Sequence, residues 1–464
     1  MTTHLAAPTP LSPTDLDALR STLTGTLVAP GDPGWDAARQ AWKVLIDQQP
    51  VAVVQAAGAD DVVATVRWAA ARGVPVTAQP SGHGASRALD GAVLVRTGAL
   101  DDIWVDAAAG VARVGAGVRW STLQRELDGT GLTGLVGSNP DVSVVGFCLG
   151  GGLSWFSRAY GSGAGSVRAV EVVDATGTLR WVRSDEPADA DLLWALRGGG
   201  GDFAVVTAVE VDLFPAPQIY GGLLAFPAQV APAVFRAFAA VTASAPEELT
   251  TWAAVMHLPD APFVPAELRG ASLALVLATY LGDAADAERL LAPVRAAGPV
   301  VRDTVRVLAP GEVGLLAEEP VEPSPVVLTG TRLHTFDEAA IDAVLGAVGH
   351  GSGTPLLQLQ VRHTGGALAR ERAPSAAGTA EEPYLLTGLG MIPAPGLAPV
   401  VAGALGGLLA LLEPWSTGTV PLTFLDEDET ISKAYPPATV DRLRAVKDAV
   451  DPSGLIRSNR PVRG

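Results

Sequence analysis

Gln79-Pro80-Ser81-Gly82-His83-Gly84-Ala85-Ser86 sets a glycine-flanked histidine between two apolar runs, and the rest of the chain reads as its support. Val74–Ala78 before it and Ala92–Val95 after it have the length and branched side chains of buried strands, so the loop is anchored at both ends. Gly82 and Gly84 allow positive φ and carry no Cβ, so successive backbone amides can turn toward an anion such as a pyrophosphate, with His83 beside it. The same tripeptide also makes ordinary surface turns in which the histidine caps a carbonyl. The neighbouring motifs carry the choice between the two.

A second cluster runs from Gly137-Ser138-Asn139-Pro140-Asp141-Val142 into Val145-Gly146-Phe147-Cys148-Leu149-Gly150-Gly151-Gly152-Leu153-Ser154-Trp155. A flexible linker would be polar, whereas these glycines lie among Val144, Val145, Leu153 and Trp155; close approach of backbone to something flat or charged is the better reading. A third cluster is Asp191-Leu192-Leu193-Trp194-Ala195-Leu196-Arg197-Gly198-Gly199-Gly200-Gly201-Asp202-Phe203, leading into Val205-Val206-Thr207. With the tail Asp451-Pro452-Ser453-Gly454-Leu455-Ile456-Arg457-Ser458-Asn459, the order and spacing resemble the vanillyl-alcohol oxidase and p-cresol methylhydroxylase (PCMH) superfamily, in its berberine-bridge-enzyme-like branch. The resemblance covers Pro50 to Pro215 and resumes in that tail.

The resemblance implies an α+β fold: a PCMH-type FAD-binding domain of two α/β subdomains, and an α/β substrate domain whose antiparallel sheet lies over the flavin. It implies FAD contacts from Ser81, Gly82, His83, Gly84, Ala85 and Ser86, from Gly137, Ser138, Asn139, Val142 and Gly146, and from Gly150, Gly151, Leu153, Val206 and Asn459. His83 stands where members bond the flavin 8α-methyl group, and Asn139 stands where many carry the cysteine of a second bond, so a single covalent link through His83 is expected. Cys148, the only cysteine, reads as a small buried apolar residue. The implied activity is oxidation of a small alcohol, amine or secondary metabolite with dioxygen as acceptor. A protein that keeps flavin as scaffold while binding or cyclising a ligand is the alternative.

Leu356–His363 is the informative strand of the second half. Leu357, Leu359 and Val361 alternate with Gln358, Gln360 and Arg362, which puts the polar side chains on one face. That face is either solvated or, as the resemblance implies, turned to the flavin, which makes Gln360 and Arg362 substrate contacts. Thr423-Phe424 stands where members often show Asn-Tyr, so the usual tyrosine base is missing; Tyr435, Tyr384 and His363 are the remaining candidates.

At 464 residues two domains are expected, with 1–216 and 414–464 on the cofactor side and 217–413 as the substrate domain. Net charge is −17 and lysine occurs only at 43, 433 and 447, which argues against nucleic acid. One cysteine makes no intrachain disulfide, no metal-ligand spacing stands out, and no signal peptide is apparent; a cytoplasmic location is the expectation. Gly396–Leu412 is read as a buried or amphipathic helix too short for a membrane span. Helices are expected from Thr14, over Asp36–Lys43, from Asp60 to Gly73, and over Ala284–Ala297, Asp337–Val348 and Thr439–Val450. Strands are expected at Val51–Val54, Val167–Asp174, Leu179–Val182, Val205–Leu213, Leu273–Leu281 and Val326–Thr329.

Overall fold

A computed structural model describes residues 11–463 apart from 263, 265 and 428. Most of the Pro/Thr-rich opening, expected to fray, therefore lies outside the described residues. The valine-rich runs Ala52–Gln55, Val93–Arg96 and Val76–Ala78 pair in parallel, and Thr26–Val28 adds antiparallel to the far edge. Val53, Val54, Val76, Val93 and Val95 are fully buried, as parallel strands covered on both faces require. Helix Ala59–Ala70 makes the crossover and turns Val62, Val66 and Ala69 inward. Its N-cap is Gly58, not Asp60, and the buried Asp61 carboxylate accepts from the amides of Thr24, Gly25 and Ala57, tying the edge strand down.

A second sheet, wholly antiparallel, orders Ile103–Asp106, Val111–Gly115, Val205–Asp212, Val167–Val173 and Leu179–Arg183. The third and largest begins after Pro217. Its central strands run Ile219–Pro227, Ser272–Leu281, Leu249–His257, Leu356–His363, Tyr384–Met391 and Val326–Leu333 across the sheet, all antiparallel. Leu224, Val255, Val361 and Leu386 face the helices Ala231–Thr242, Ala284–Arg295, Glu338–Val348 and Ala398–Leu412, whereas Leu223, Trp252, Leu277 and Leu385 join the core of the first half. Both faces are thus covered, which hides the strands Ile219–Pro227, Leu249–His257 and Tyr384–Met391 from a search for alternation.

Three expectations change. The first helix is Pro13–Arg20, capped by Ser12 in a reciprocal pair with Asp15, and not by Thr14. The helix expected over Asp36–Lys43 stops at Arg39, because the amides of Trp42 and Lys43 donate to the carbonyls of Ser81 and Gly82 at 3.0 and 3.4 Å. Pro395–Leu412, at 18 residues and mean hydropathy 1.9, does meet the length and hydropathy of a span; in the fold Val401, Leu405, Leu408 and Leu412 form its buried stripe against the sheet.

The tail returns to the first sheet. Lys447, buried on helix Pro437–Val450, donates to Asp451 (2.7 Å) and to the carbonyls of Asp202 and Ile456. Val76 then exchanges backbone bonds with the tail, its amide donating to Leu455 and its carbonyl accepting from Arg457, both at 2.8 Å.

Candidate functional site

The amides of Ser81, Gly82, His83 and Gly84 donate to no acceptor among the described residues, while Ala85 closes the turn onto Gly82 at 3.2 Å. Gly82 has φ +89°, and a Cβ there would come within 2.9 Å of Ala41. Its glycine is thus required by the protein itself. Gly84 does not have the positive φ expected of it, and its Cβ would find only Asn459 Nδ2 at 3.6 Å, so its outer side is open. The His83 ring stacks on Trp42 with centroids 4.3 Å apart, and its Nε2 lies 3.8 Å from Asp141. Arg119 reaches the same corner: Nε is 3.7 Å from Asp141, and Nη2 donates to the Pro80 carbonyl at 3.3 Å. Ser86 donates to the Asn459 carbonyl at 2.7 Å and bolts the tail to the loop. Three buried polar atoms around this loop have no partner: His83 Nε2, Arg119 Nη1 and Asn459 Oδ1. Such orphans are costly unless something else meets them.

The second cluster is tighter than expected. The flat group against Gly137 and Gly152 is the ring of Phe147, which would stand 2.8 and 2.5 Å from their Cβ atoms, and Thr423 would block a Cβ at Gly150 at 2.3 Å. Gly151, with φ +101°, stays open. Asn139 is committed to the Pro320 carbonyl and the Asp141 amide (3.1 and 2.9 Å), so it supplies no link. The Gly146 amide caps onto Ser143, Ser138 and Val142 are half-buried, and Val206 is a core strand residue. Cys148 is buried, and burial pushes its thiol up to about 12.

Across the gap lies the inner face of the large sheet. Register carries one row from Arg332 through Leu385 and Arg362 to Trp252, and the next from Gly330 through Thr387 and Gln360 to Ala254. Gln360 and Arg362 are each only 7% exposed, so the solvated reading of this strand fails. Arg362 donates to Gln360 Oε1 at 3.0 and 2.7 Å, and Gln360 donates to Gln358 at 2.8 Å. The Arg362 guanidinium lies 3.9 Å over Trp252 and 5.1 Å from Phe424, and Trp252 stacks on Trp155 of the glycine cluster at 3.8 Å.

Comparison with known proteins shows what this arrangement is similar to. Residues 50–183 match the FAD binding domain family. (R)-6-hydroxynicotine oxidase of Paenarthrobacter nicotinovorans is 30% identical over 300 residues, 64% of either chain. Glucooligosaccharide oxidase of Sarocladium strictum is 32% identical over 191 residues, 40% of this chain and 38% of that one. The aligned stretch thus spans less than two thirds of either relative. Among solved structures, BBE-like 1 of Physcomitrella patens superposes with a TM-score of 0.83 at 19% identity over 96% of this chain and 98% of that one. This chain has the berberine-bridge-enzyme-like fold, with an FAD binding domain match over residues 50–183.

None of the three base candidates is free to act as one. Tyr384 faces the outer helices, its hydroxyl paired with Thr242 at 2.7 Å. His363, one residue beyond Arg362, also turns to the outer face; its Nε2 accepts from Arg158 at 3.0 Å, and burial, then Arg158, pushes it down to about 3. Tyr435 donates to the Gly198 carbonyl, and burial raises its pKa. It does line a cavity of about 60 Å³, together with Gly150, Gly151, Arg332, Thr364 and Leu385. The sequence reading passed over Trp42, Arg119, Trp252 and Arg332. Only Arg332 carried a signal, as the sole charge in the strand Val326–Leu333.

Proposed function

We propose that the protein is an FAD-linked oxidase or dehydrogenase of a small organic molecule, in which 1–216 and 414–464 hold the flavin and 217–413 cover it. The observation that carries this reading is the loop Ser81–Gly84, with four unengaged amides and three orphaned polar atoms around it, opposite a polar row on the sheet. These residues suit the group: the amides meet the charge of a pyrophosphate without a lysine, and His83 offers an unpartnered ring nitrogen for the bond to the 8α-methyl carbon. FAD, once bound, supplies the hydride acceptor, and in an oxidase the route of both electrons to dioxygen.

The chain's own task is to bind and orient the substrate and to exclude water. Trp155, Trp252 and Phe424 wall the site, and Gln360 with Arg362 presents donors into it. Arg362, pushed down to about 10 by burial, stays charged at neutral pH. No carboxylate, tyrosine or histidine of the inner row is placed to remove a proton, which suits an amine bound neutral or a donor whose proton leaves through water.

Mass spectrometry of the denatured protein tests the link. One FAD adduct, lost in His83→Ala, is expected; an adduct that survives, or that maps to Cys148, refutes it. Anaerobic bleaching of the yellow flavin by a bound substrate separates turnover from a scaffold role.

A further inference from the structure

Charge on the inner face runs against the rest of the molecule. The chain carries 49 acidic and 32 basic side chains, and its buried arginines elsewhere are answered by protein groups: Arg197 bonds the Val167 carbonyl, and Arg158 those of Leu249 and Thr364. Arg332 and Arg362 are not answered in this way. The Arg332 guanidinium makes no hydrogen bond to any described residue and lines the cavity beside Leu385. Arg362 bonds only the neutral Gln360 oxygen and leaves Nη1 unbonded among the described residues. Neither has a carboxylate within 4 Å among the described residues; Glu382 and Glu319 act on them only from farther away. The two flank Leu385 on adjacent strands, so their Cα atoms stand about 10 Å apart, close enough for both side chains to address one ligand.

Arg362 is buried and Arg332 half-buried; a cation withdrawn from water without a counter-ion is disfavoured unless a ligand completes it, and a guanidinium fork matches a carboxylate in two parallel bonds. We propose that the substrate is an organic acid whose carboxylate is held between Arg332 and Arg362 over Leu385. This rests on the flavin reading above, which puts the reacting carbon on the same face. The same two charges could instead answer the negative charge that the flavin ring gains on reduction. The test is built to tell these apart.

Holoprotein is titrated with acetate, benzoate and phenylacetate, each against its neutral amide, reading the flavin difference spectrum and heat. At least one acid is expected to bind tenfold or more tightly than its amide. Arg332→Gln and Arg362→Gln are each expected to erase that preference, while amide binding and flavin content hold. Sulfite, which adds reversibly to oxidised flavin, is titrated in parallel. If Arg332→Gln weakens sulfite tenfold and leaves the acid-to-amide ratio alone, the charges serve the flavin and the inference falls. Equal binding of acid and amide throughout the panel also overturns it. A preparation that binds no FAD would refute the oxidoreductase reading instead, and calorimetry with the same acids would still decide this one.

Discussion

The two faces of the strand Leu356–His363 are built from opposite logic. Outward, Leu359, Val361 and the neutral His363 meet helices, and Arg158 donates to the imidazole Nε2 while Nδ1 has no partner among the described residues. Inward, Gln358, Gln360 and Arg362 form a chain of donors that ends on unbonded nitrogen. Both faces are buried, so burial alone does not separate structure from function. What separates them is charge: the outer face holds a neutral imidazole, the inner face a guanidinium with no carboxylate within 4 Å among the described residues.

Three measurements press on that contrast. The largest effect belongs to His363. Its folded-state pKa of about 3 lies below the ordinary 6.5, so as pH falls through 6.5 the unfolded chain takes up a proton that the folded chain refuses. Its contribution is complete above pH 6.5 and is lost toward pH 3, at roughly 1.4 kcal/mol per pH unit, or about 2 kcal/mol at pH 5. Denaturant unfolding at pH 7.5 and 5 should show this extra acid sensitivity in the native protein and not in His363→Gln; equal slopes would mean that the fold does not hold the imidazole neutral. Next comes Arg362→Leu, expected to lower turnover by at least roughly tenfold, about 1.4 kcal/mol, with flavin content unchanged. Stability should hold or rise, since an apolar isostere replaces a buried charge. Unchanged turnover would turn the inner row into mere packing. The smallest effect is that of Tyr384→Phe, which removes the bond to Thr242 at a cost of about 1 kcal/mol in unfolding and should leave turnover within twofold.

The parallel strands around His83 and the order of the glycine clusters were legible because they are local patterns: short apolar runs, breakers and fixed spacings. The row Arg332–Leu385–Arg362–Trp252 was not, because four strands distant in sequence compose it and only one of them alternates visibly. Tyr384 and His363 were misread for a related reason. Residue type suggests a base, but the face a side chain takes depends on register, and one position separates His363 from Arg362. Gly82 teaches the converse. Its glycine is needed, but Ala41 and a left-handed φ need it, so Gly82→Val would fail without reporting on any ligand, whereas the open side of Gly84 would report on one.

The return of the tail has a consequence for how the molecule is made. Val76 sits next to the loop that carries His83, yet it obtains its last backbone partners from Leu455 and Arg457, and Asp202 of the third glycine cluster is held by the amides of Ser458 and Val462. Domains fold largely as they emerge from the ribosome, beginning with the N-terminal part. Here the first part synthesised stays open along that edge while the whole covering sheet is translated, and it closes only when the tail arrives. The corner around His83 is therefore complete only once the last residues of the chain have been made.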